Sequence, residues 1–459
     1  MTAPVRRSGG LAALVIALLV AACAPSTPTP QPSVTPSAVP ASGSPAASDE
    51  PAASPSPSAS AAAAACDPSA AKASPEVAAP DTNDPNAALY AEIEGQVSQL
   101  RGITATKPVE RGVFDKPGLC AYITASFEKD NPQSLVNGTE ALYKALLLMP
   151  QDAKLLDLYI ELLTSQVAGL YDDETKKMYV VTSTGVIGLA ERITYAHEYT
   201  HALQDQRFTL RNIVGDAKDQ GDRTLARTTL VEGDATLLMS LWAQQHLTAA
   251  ELSQVATAAD PASGEILAKM PAILRETLLF PYTQGLQLTL GAFQQGGFGG
   301  VDQLFGNPPD TTEQLLHTDK LAAREPAVEV TFPSDFAARL GEGWSIALQD
   351  TIGEYQLGVL LKDVAGAQAP LDAAAGWGGD RVAWVTGPAG ANAAVLDTKW
   401  DTDTDASEFA AALDGYVTKL KAAGRSAAVL TPAPDRVVLI SANGDDTLSR
   451  VANVLGLAG

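Results

Sequence analysis

The 459-residue chain is poor in histidine, cysteine and positive charge. It has four histidines, three cysteines, and 31 lysines and arginines against 53 aspartates and glutamates, so its formal net charge is −22. Such a charge repels phosphate groups, which argues against binding of nucleic acid or of an anionic membrane surface by the folded part. Net charge says little about the fold, and here it is consistent with a soluble exported protein.

Long apolar runs are also scarce, and the most prominent one lies near the N-terminus. Residues 11–20 follow two arginines and are too short to span a bilayer as a permanent helix. They end in the segment VAAC, which resembles a bacterial lipobox, the signal in which the cysteine is lipidated. We therefore predict a lipoprotein signal peptide over residues 1–22 and a lipid on Cys23 that anchors the protein to the membrane on its extracytoplasmic side. An ordinary secretory signal peptide is the alternative, and it would export the chain as well.

The few cysteines agree with export. If Cys23 carries the lipid, Cys66 and Cys120 remain as a pair in an oxidising compartment, which predicts a disulfide between them, with two free thiols as the alternative. Residues 23–85 are rich in Ala, Pro and Ser with almost no bulky apolar side chain. Such a segment cannot bury enough surface to offset the entropy of ordering, so we predict a disordered tether there.

The motif that carries chemistry is HEYTH at residues 197–201, in a stretch predicted to be helical. His197 and His201 are four residues apart and so lie on one face of the helix, where both imidazoles can bind a single zinc ion. Glu198 is then placed beside them as a base for a water molecule on the metal. With so few histidines, the motif seldom arises by chance. The alternative is two histidines that only pack, or face water, on an ordinary helix.

Two histidines leave zinc short of a protein ligand, and a second predicted helix over residues 223–245 offers one. Glu232 lies there in the apolar segment TLVEG and is our predicted third ligand, with Asp234 as the next candidate. Gly233 would let this helix approach the HEYTH helix closely. Asp205, four residues after His201, is predicted either to hydrogen-bond a ligand imidazole or to face water.

HEYTHALQDQ followed by LVEGDAT resembles the gluzincin branch of zinc metallopeptidases. The chain is also similar to an uncharacterised group of exported bacterial proteins with HEYTHALQDQ, STEQxLHP-like and GWGGDR segments, here TEQLLH at 312–317 and GWGGDR at 376–381. The resemblance implies one zinc ion held by His197, His201 and Glu232, with Glu198 as base in the hydrolysis of a peptide or protein substrate. The chain differs from thermolysin-like enzymes in having Thr236, not aspartate, four residues after the glutamate, and in a longer spacer.

Further site residues are expected around this centre. Gluzincin sites often have a histidine or tyrosine outside the ligand set that stabilises the oxyanion, which makes His317 and Tyr282 candidates. A loop-holding role is the alternative for His317. The pattern at residues 167–181 predicts a short hairpin, whose second strand, with Tyr179, would be an edge near the zinc helix. That edge would pair with the extended substrate or would only cover the helix.

These patterns predict an α+β fold. A mainly helical zincin-like metallopeptidase domain with a short edge hairpin covers residues 86–320, and a small α+β domain covers residues 321–459. Phe280–Gly285 is expected to interrupt a helix and residues 296–300 to form a loop. In the C-terminal domain, strands are predicted at 327–332, 381–386, 393–400 and 437–441. This domain has no cysteine and no histidine, so it offers no Ser-His-Asp set.

The leading function is therefore that of an exported zinc metallopeptidase. The alternatives are a non-catalytic envelope protein for binding or assembly on a peptidase-like fold, and a zinc-dependent hydrolase of a cell-wall amide.

Overall fold

The computed structural model describes residues 86–182, 185–215, 219–258, 260–362 and 371–457. The predicted signal peptide, Cys23, Cys66 and the tether lie outside these residues. Within them, the chain is mixed α+β, as predicted, with a sheet-rich C-terminal region. None of the helices found there combines the length and the apolar character needed to cross a membrane.

Most of the helices lie before residue 324. The elements of this part are, in chain order, α1 (Ala87–Arg101), β1 (Glu110–Phe114), α2 (Lys116–Asp130), α3 (Gln133–Ala145), α4 (Leu155–Gln166), β2 (Gly169–Asp172), β3 (Lys177–Val181), α5 (Leu189–Phe208), α6 (Leu210–Val214), α7 (Gly221–His246), α8 (Ala249–Thr257), α9 (Pro261–Lys269), α10 (Ala272–Gly306), α11 (Thr312–Leu316) and α12 (Thr318–Ala323).

Helix α1 shows why the helical pattern is informative here. Its side chains at Tyr90, Ile93 and Val97 recur at helical spacing and are all buried. The helix ends at Gly102, whose φ of 74° is a left-handed conformation that glycine adopts without strain. The apolar spacing of this segment and the glycine after it therefore account for a helix over residues 87–101.

The predicted hairpin is confirmed, but its second strand is not an edge. β2 and β3 pair antiparallel, and β1 pairs parallel to β3 on the other side, so the order is β1-β3-β2. The sequence of β1, ERGVF, lies between two prolines and has only a weak strand pattern. Both hairpin strands contact α5, and Gly169 in β2 lies so close that a Cβ atom on it would be 3.2 Å from Glu198 Cγ.

Helices α7 and α10 touch backbone to backbone. A Cβ atom on Gly233 would lie 2.2 Å from the carbonyl oxygen of Gly285, and one on Gly285 would lie 2.3 Å from the carbonyl oxygen of Thr229. The Thr289 hydroxyl adds a 2.9 Å hydrogen bond to the carbonyl of Gly233. We expected Gly233 to let α7 approach the HEYTH helix closely. That expectation was wrong, because Gly233 contacts α10 instead.

The predicted interruption at Phe280–Gly285 was also wrong. α10 continues through Pro281, which is buried together with Phe280 and Tyr282, so packing on both sides offsets the lost backbone hydrogen bond. The predicted loop at 296–300 is in part a kink. The backbone leaves helical geometry at Gly296 and at Gly297, whose φ is 60°.

The C-terminal part is built on one antiparallel sheet. Its elements are α13 (Phe336–Leu340), β4 (Ser345–Asp350), α14 (Gly353–Leu361), β5 (Trp377–Thr386), β6 (Asn392–Trp400), α15 (Asp403–Ala422), β7 (Ser426–Ala433), β8 (Arg436–Ala442) and α16 (Asp445–Val454). The strand order is β4-β5-β6-β8-β7. The strands predicted at 381–386, 393–400 and 437–441 are confirmed, whereas residues 327–332 form no strand and only bring Val328 N–H to the carbonyl of Gly378 at 2.6 Å.

Helices cover both faces of this sheet. On one face α14 and α15 pack with Trp377 and Phe409 into a core that also contains Leu142 and Leu146, from α3 and the residue after it. On the other face α13 and α16 bury residues such as Phe336. The helical half thus completes the core of the C-terminal sheet.

Buried carboxylates lie where the two halves meet. Asp222, at the start of α7, accepts hydrogen bonds from the backbone N–H (3.1 Å) and hydroxyl (2.5 Å) of Thr312. Asp380, in the GWGGDR segment, accepts from the N–H groups of Ile352 and Gly353 at the start of α14. Two neighbouring bonds cross between the halves: the N–H of Asp222 donates to the Thr351 carbonyl at 2.9 Å, and the N–H of Tyr355 donates to the Thr312 hydroxyl at 3.2 Å. The start of α7 and the TEQLLH segment are therefore held against the start of α14.

This junction should make the protein less stable as the pH rises. Burial raises the pKa of Asp222 to about 8, and the nearby charges of Asp380 and Glu354 add to the rise. The unfolded chain releases this proton near pH 3.8. The folded state therefore binds more protons between these values, and its stability falls as pH increases.

We expect the melting temperature to drop by about 5 °C or more between pH 5 and pH 8, measured by calorimetry. Asp222→Asn mimics the protonated acid and should flatten that slope. The control Asp414→Asn, at an exposed position of α15, should melt like the parent at each pH. A slope unchanged in Asp222→Asn would contradict the assignment.

Candidate metal centre

The centre lies between α5 and α7, and α5 is buried on all sides. Each residue from Ile193 to Asp205 is buried, because α1, α7 and the sheet surround the helix. At its start, Glu191 accepts a 3.0 Å hydrogen bond from the N–H of Gly188 and so fixes where the helix begins. His197 and His201 are thus carried on a helix that packing holds in place.

The structure brings together the three residues predicted as ligands. The Nε2 atoms of His197 and His201 are 3.0 Å apart, and Glu232 Oε2 lies 3.3 Å from the first and 3.4 Å from the second. A tetrahedral zinc site with bonds of about 2.0–2.1 Å separates its ligand atoms by about 3.3 Å. The donor set, two imidazoles and one carboxylate, and the triangle of atoms therefore both fit zinc.

The charges of the cluster also suit a cation. Burial lowers the pKa of His197 to about 4, so this imidazole is neutral and its lone pair is available. Although burial acts in the opposite direction, the charge of His201 and the contacts of both imidazoles with the carboxylate hold the pKa of Glu232 at about 2. An ionised carboxylate thus lies buried beside two ring nitrogens, where a divalent cation would be strongly favoured.

Glu198 lies beside the triangle without a ligand position of its own. It is fully buried, and neither carboxylate oxygen makes a hydrogen bond of normal geometry to a described residue. Burial raises the pKa of Glu198 well above its usual value. Among the neighbouring groups, the charge of His201 and the backbone of Tyr171 lower this pKa, whereas the charge of Glu232 raises it. An unpaired buried carboxylate is costly, so its presence beside a metal-binding triangle favours a role in proton transfer.

Asp205 does not contact either ligand imidazole. Its carboxylate accepts from the Tyr171 hydroxyl at 2.8 Å, from Lys176 Nζ at 2.5 Å and from the N–H of Leu210 at 3.1 Å. Asp205 therefore ties the β2–β3 hairpin to the end of α5, and the prediction that it hydrogen-bonds a ligand imidazole was wrong. Because it is buried, the alternative that it faces water was wrong too.

The partner of His201 is Gln204 instead. The Gln204 Oε1 atom lies 2.8 Å from His201 Nδ1, and its Nε2 donates to Asp234 at 2.9 Å. Asp234, our second candidate ligand, is thus a buried partner of Gln204 and of Arg101 and lies outside the triangle.

Three predicted candidates remain, Tyr282, Tyr179 and His317. The Tyr282 ring, on α10, is centred 6.3 Å from the His197 ring. Tyr179 packs with Phe114 and Tyr282 in a small apolar cluster. His317 contacts the carboxylate of Glu354 through Nε2 at 2.7 Å, in the junction between the two halves. That contact supports the loop-holding alternative for His317.

A second group of acidic side chains occurs within the described residues. Glu313, Glu325 and Asp401 converge on one point, but Lys320 Nζ lies among them, 3.3 Å from Glu313. An ammonium group therefore already pairs with these carboxylates at the point where they converge.

Cys120, on α2, is disulfide-bonded. It is the one cysteine in the described residues, so its partner lies outside them, as does Cys66. The pairing with Cys66 stays a prediction.

Comparison with known proteins adds one match. Residues 345–453 match a family described as a domain of unknown function, DUF8575. No curated protein matches the chain, and no solved structure matches it either. The matched residues comprise the C-terminal sheet from β4 to α16 and contain none of the metal-centre residues.

Sequence reasoning missed Gln204 and its partners. The only local signal was the position of Gln204, three residues after His201, on nearly the same face of α5. The rest of the arrangement depends on Arg101, which is 133 residues from Asp234 in the chain.

Proposed function

We propose that the protein is a zinc metallopeptidase of gluzincin type. The observation that carries the proposal is the triangle formed by His197, His201 and Glu232, with separations of 3.0–3.4 Å, beside the unpaired carboxylate of Glu198. Three ligands leave a fourth position of a tetrahedral site for water or substrate, as in catalytic zinc sites.

Bound zinc would polarise the scissile carbonyl and lower the pKa of a water molecule at that fourth position toward neutrality. The role of Glu198 follows from its position next to the ligands. Its carboxylate takes a proton from the attacking water and then passes it to the leaving amine. The charge of a bound zinc ion would lower the pKa of Glu198 from its raised value, toward the range that a general base needs. The Tyr282 hydroxyl is the candidate donor to the oxyanion.

The substrate would lie along β2. Among the described strands, β2 pairs with β3 on one side only, and β2 contacts α5, the helix that carries both histidines. An extended peptide that pairs with the other side of β2 would place one carbonyl near the triangle. The sequence predicted substrate pairing for the second hairpin strand, β3. We now propose it for the first hairpin strand, β2.

Burial favours a second candidate function. The exposed fractions of the triangle residues and of Glu198 are 0–2%. A centre so enclosed would also suit a non-catalytic envelope protein in which the metal only holds α5 against α7. In that case, removal of zinc would lower stability, and no peptide would be cleaved.

The deciding experiment measures zinc per chain in the purified protein and the cleavage of a peptide library, before and after treatment with a chelator. The proposal expects one zinc ion per chain and cleavage that the chelator abolishes and added zinc restores. One zinc ion with no cleavage of any peptide would support the second candidate. Cleavage of cross-linked peptidoglycan alone would indicate a cell-wall amide hydrolase.

Loss of the carboxylate ligand should remove the metal. We expect Glu232→Ala to weaken zinc binding by more than about 100-fold, because two imidazoles from one helix turn then remain. Competition with a chromophoric chelator measures the dissociation constant. Glu251→Ala, at the exposed start of α8, is the control and should bind zinc like the parent. Unchanged binding in Glu232→Ala would refute the ligand assignment.

The proposed enzyme would act outside the cytoplasm, held to the membrane by a lipid on Cys23. Its support is the N-terminal sequence and the disulfide at Cys120, a bond typical of oxidising compartments.

A further inference from the structure

Gln204 joins the metal centre to a buried ion pair. Its side chain is fully buried and makes three hydrogen bonds: Oε1 to His201 Nδ1 at 2.8 Å, and Nε2 to the Val231 carbonyl at 3.0 Å and to Asp234 Oδ2 at 2.9 Å. These contacts use both N–H groups of the amide and place its oxygen against the imidazole.

The direction of these bonds follows from the chemistry of the partners. A backbone carbonyl and a carboxylate only accept hydrogen bonds, so both N–H groups of Gln204 must point at Val231 and Asp234. The amide oxygen is then left for His201, and it can only accept. In the neutral ring that a metal ion requires, the hydrogen must therefore be on Nδ1 of His201, and the lone pair is on Nε2, the atom in the triangle.

Arg101 holds the far end of this chain of contacts. Its Nε lies 3.0 Å from Asp234 and its Nη2 lies 2.7 Å from Asp302, on α10. The guanidinium also lies over the Phe298 ring, 4.7 Å from its centre. Because Arg101 is always charged, it keeps the carboxylate of Asp234 paired and fixed in orientation. Three helices, α1, α7 and α10, thus support one imidazole on α5.

We propose that Gln204, held by Asp234 and Arg101, is a positioning residue that fixes the tautomer and ring orientation of His201 for metal binding. The inference rests on the proposed zinc site and goes beyond it. His197 has no corresponding support, since its Nδ1 has no hydrogen-bond partner among the described residues. The two imidazoles are therefore unequal, and most of the pre-organisation of the site belongs to His201.

The uncharged amide also has a chemical consequence. A carboxylate on Nδ1 makes a ligand imidazole more electron-rich, whereas an amide oxygen is a weaker acceptor. Gln204 would thus orient His201 and leave more positive charge on a metal held there, and that charge would favour the ionisation of a water molecule.

The test compares two Gln→Met variants of the same helix in the full-length protein. Gln204→Met keeps the length of the side chain and removes its hydrogen bonds, and we expect zinc binding to weaken about 10-fold. Gln206→Met is the matched control, because Gln206 also makes several hydrogen bonds, to Thr106 and Lys107, but none to the centre. It should bind zinc like the parent.

Two readouts separate positioning from general stability. Chelator competition gives the zinc affinity, and the visible spectrum of the cobalt-loaded protein reports the geometry of the ligands. Gln204→Met should change both, whereas Gln206→Met should change neither, even if both variants melt at lower temperature. Asp234→Asn gives a second test if Gln204→Met does not fold, and it should weaken zinc binding as well.

The outcomes distinguish this inference from the proposed function. If the parent binds zinc and Gln204→Met binds it equally tightly with an unchanged cobalt spectrum, the positioning role is overturned and the zinc site stands. If the parent binds neither metal, the proposed function fails and the inference fails with it. Weaker binding in Gln204→Met alone supports both.

Discussion

Replacing Glu198 by glutamine should leave one zinc ion per chain and reduce peptide hydrolysis by about 10²–10⁴-fold. Glutamine has nearly the same shape as glutamate but cannot take a proton from water. The triangle of ligand atoms contains no atom of Glu198, so the metal should stay bound. Zinc analysis and the rate of cleavage of a substrate peptide, measured on the same preparation, check both parts.

A second glutamate of α5 provides the control. Glu191→Gln, at the start of the helix, should hydrolyse the peptide at close to the parent rate, because its contact is the N–H of Gly188. Full activity in Glu198→Gln would refute the general-base role. Loss of zinc from Glu198→Gln would show that this carboxylate helps to hold the metal, and the assignment of three ligands would need revision.

The second large effect should come from a single methyl group between α7 and α10. In Gly285→Ala the new Cβ would lie 2.3 Å from the Thr229 carbonyl oxygen and 2.8 Å from Gly233 Cα, distances that real contacts do not reach. The helices must move apart, which should cost about 3 kcal/mol or more in the free energy of unfolding. Because Glu232 adjoins Gly233, the zinc affinity should fall as well.

Gly291→Ala, on the same helix, is the matched control. A Cβ atom there has nothing within 4 Å, so the variant should gain about 0.5–1 kcal/mol from the better helix propensity of alanine. Urea unfolding of the metal-free proteins measures both changes. A Gly285→Ala protein as stable as the parent would mean that the close helix contact does not exist in solution.

The metal centre could be predicted largely from sequence because its signals are local. Two histidines one turn apart define their own geometry as soon as α5 is helical. Glu232 could be identified because a charged residue inside an apolar helical segment needs a partner. The structure brings these three side chains together as expected.

What could not be predicted depends on distant partners. Gln204 has a role only because Asp234 and Arg101 reach it from α7 and α1, and Asp205 had seemed the better candidate because it is four residues from His201. β1 is a strand because β3 offers it a ladder of hydrogen bonds, which its own sequence does not reveal. In the same way, α10 passes through Pro281 because its neighbours bury that segment.

The packing of α3 and α13 on the C-terminal sheet has a consequence for how this domain can evolve. The family match begins at residue 345, yet α3 and α13 precede it, and each fills part of one face of the C-terminal sheet. A gene rearrangement that moved residues 345–453 alone into another protein would leave an exposed apolar patch on each face of the sheet. Such patches promote aggregation. The new protein would have to supply two helices in place of α3 and α13. We therefore expect this sheet to be inherited together with those two helices.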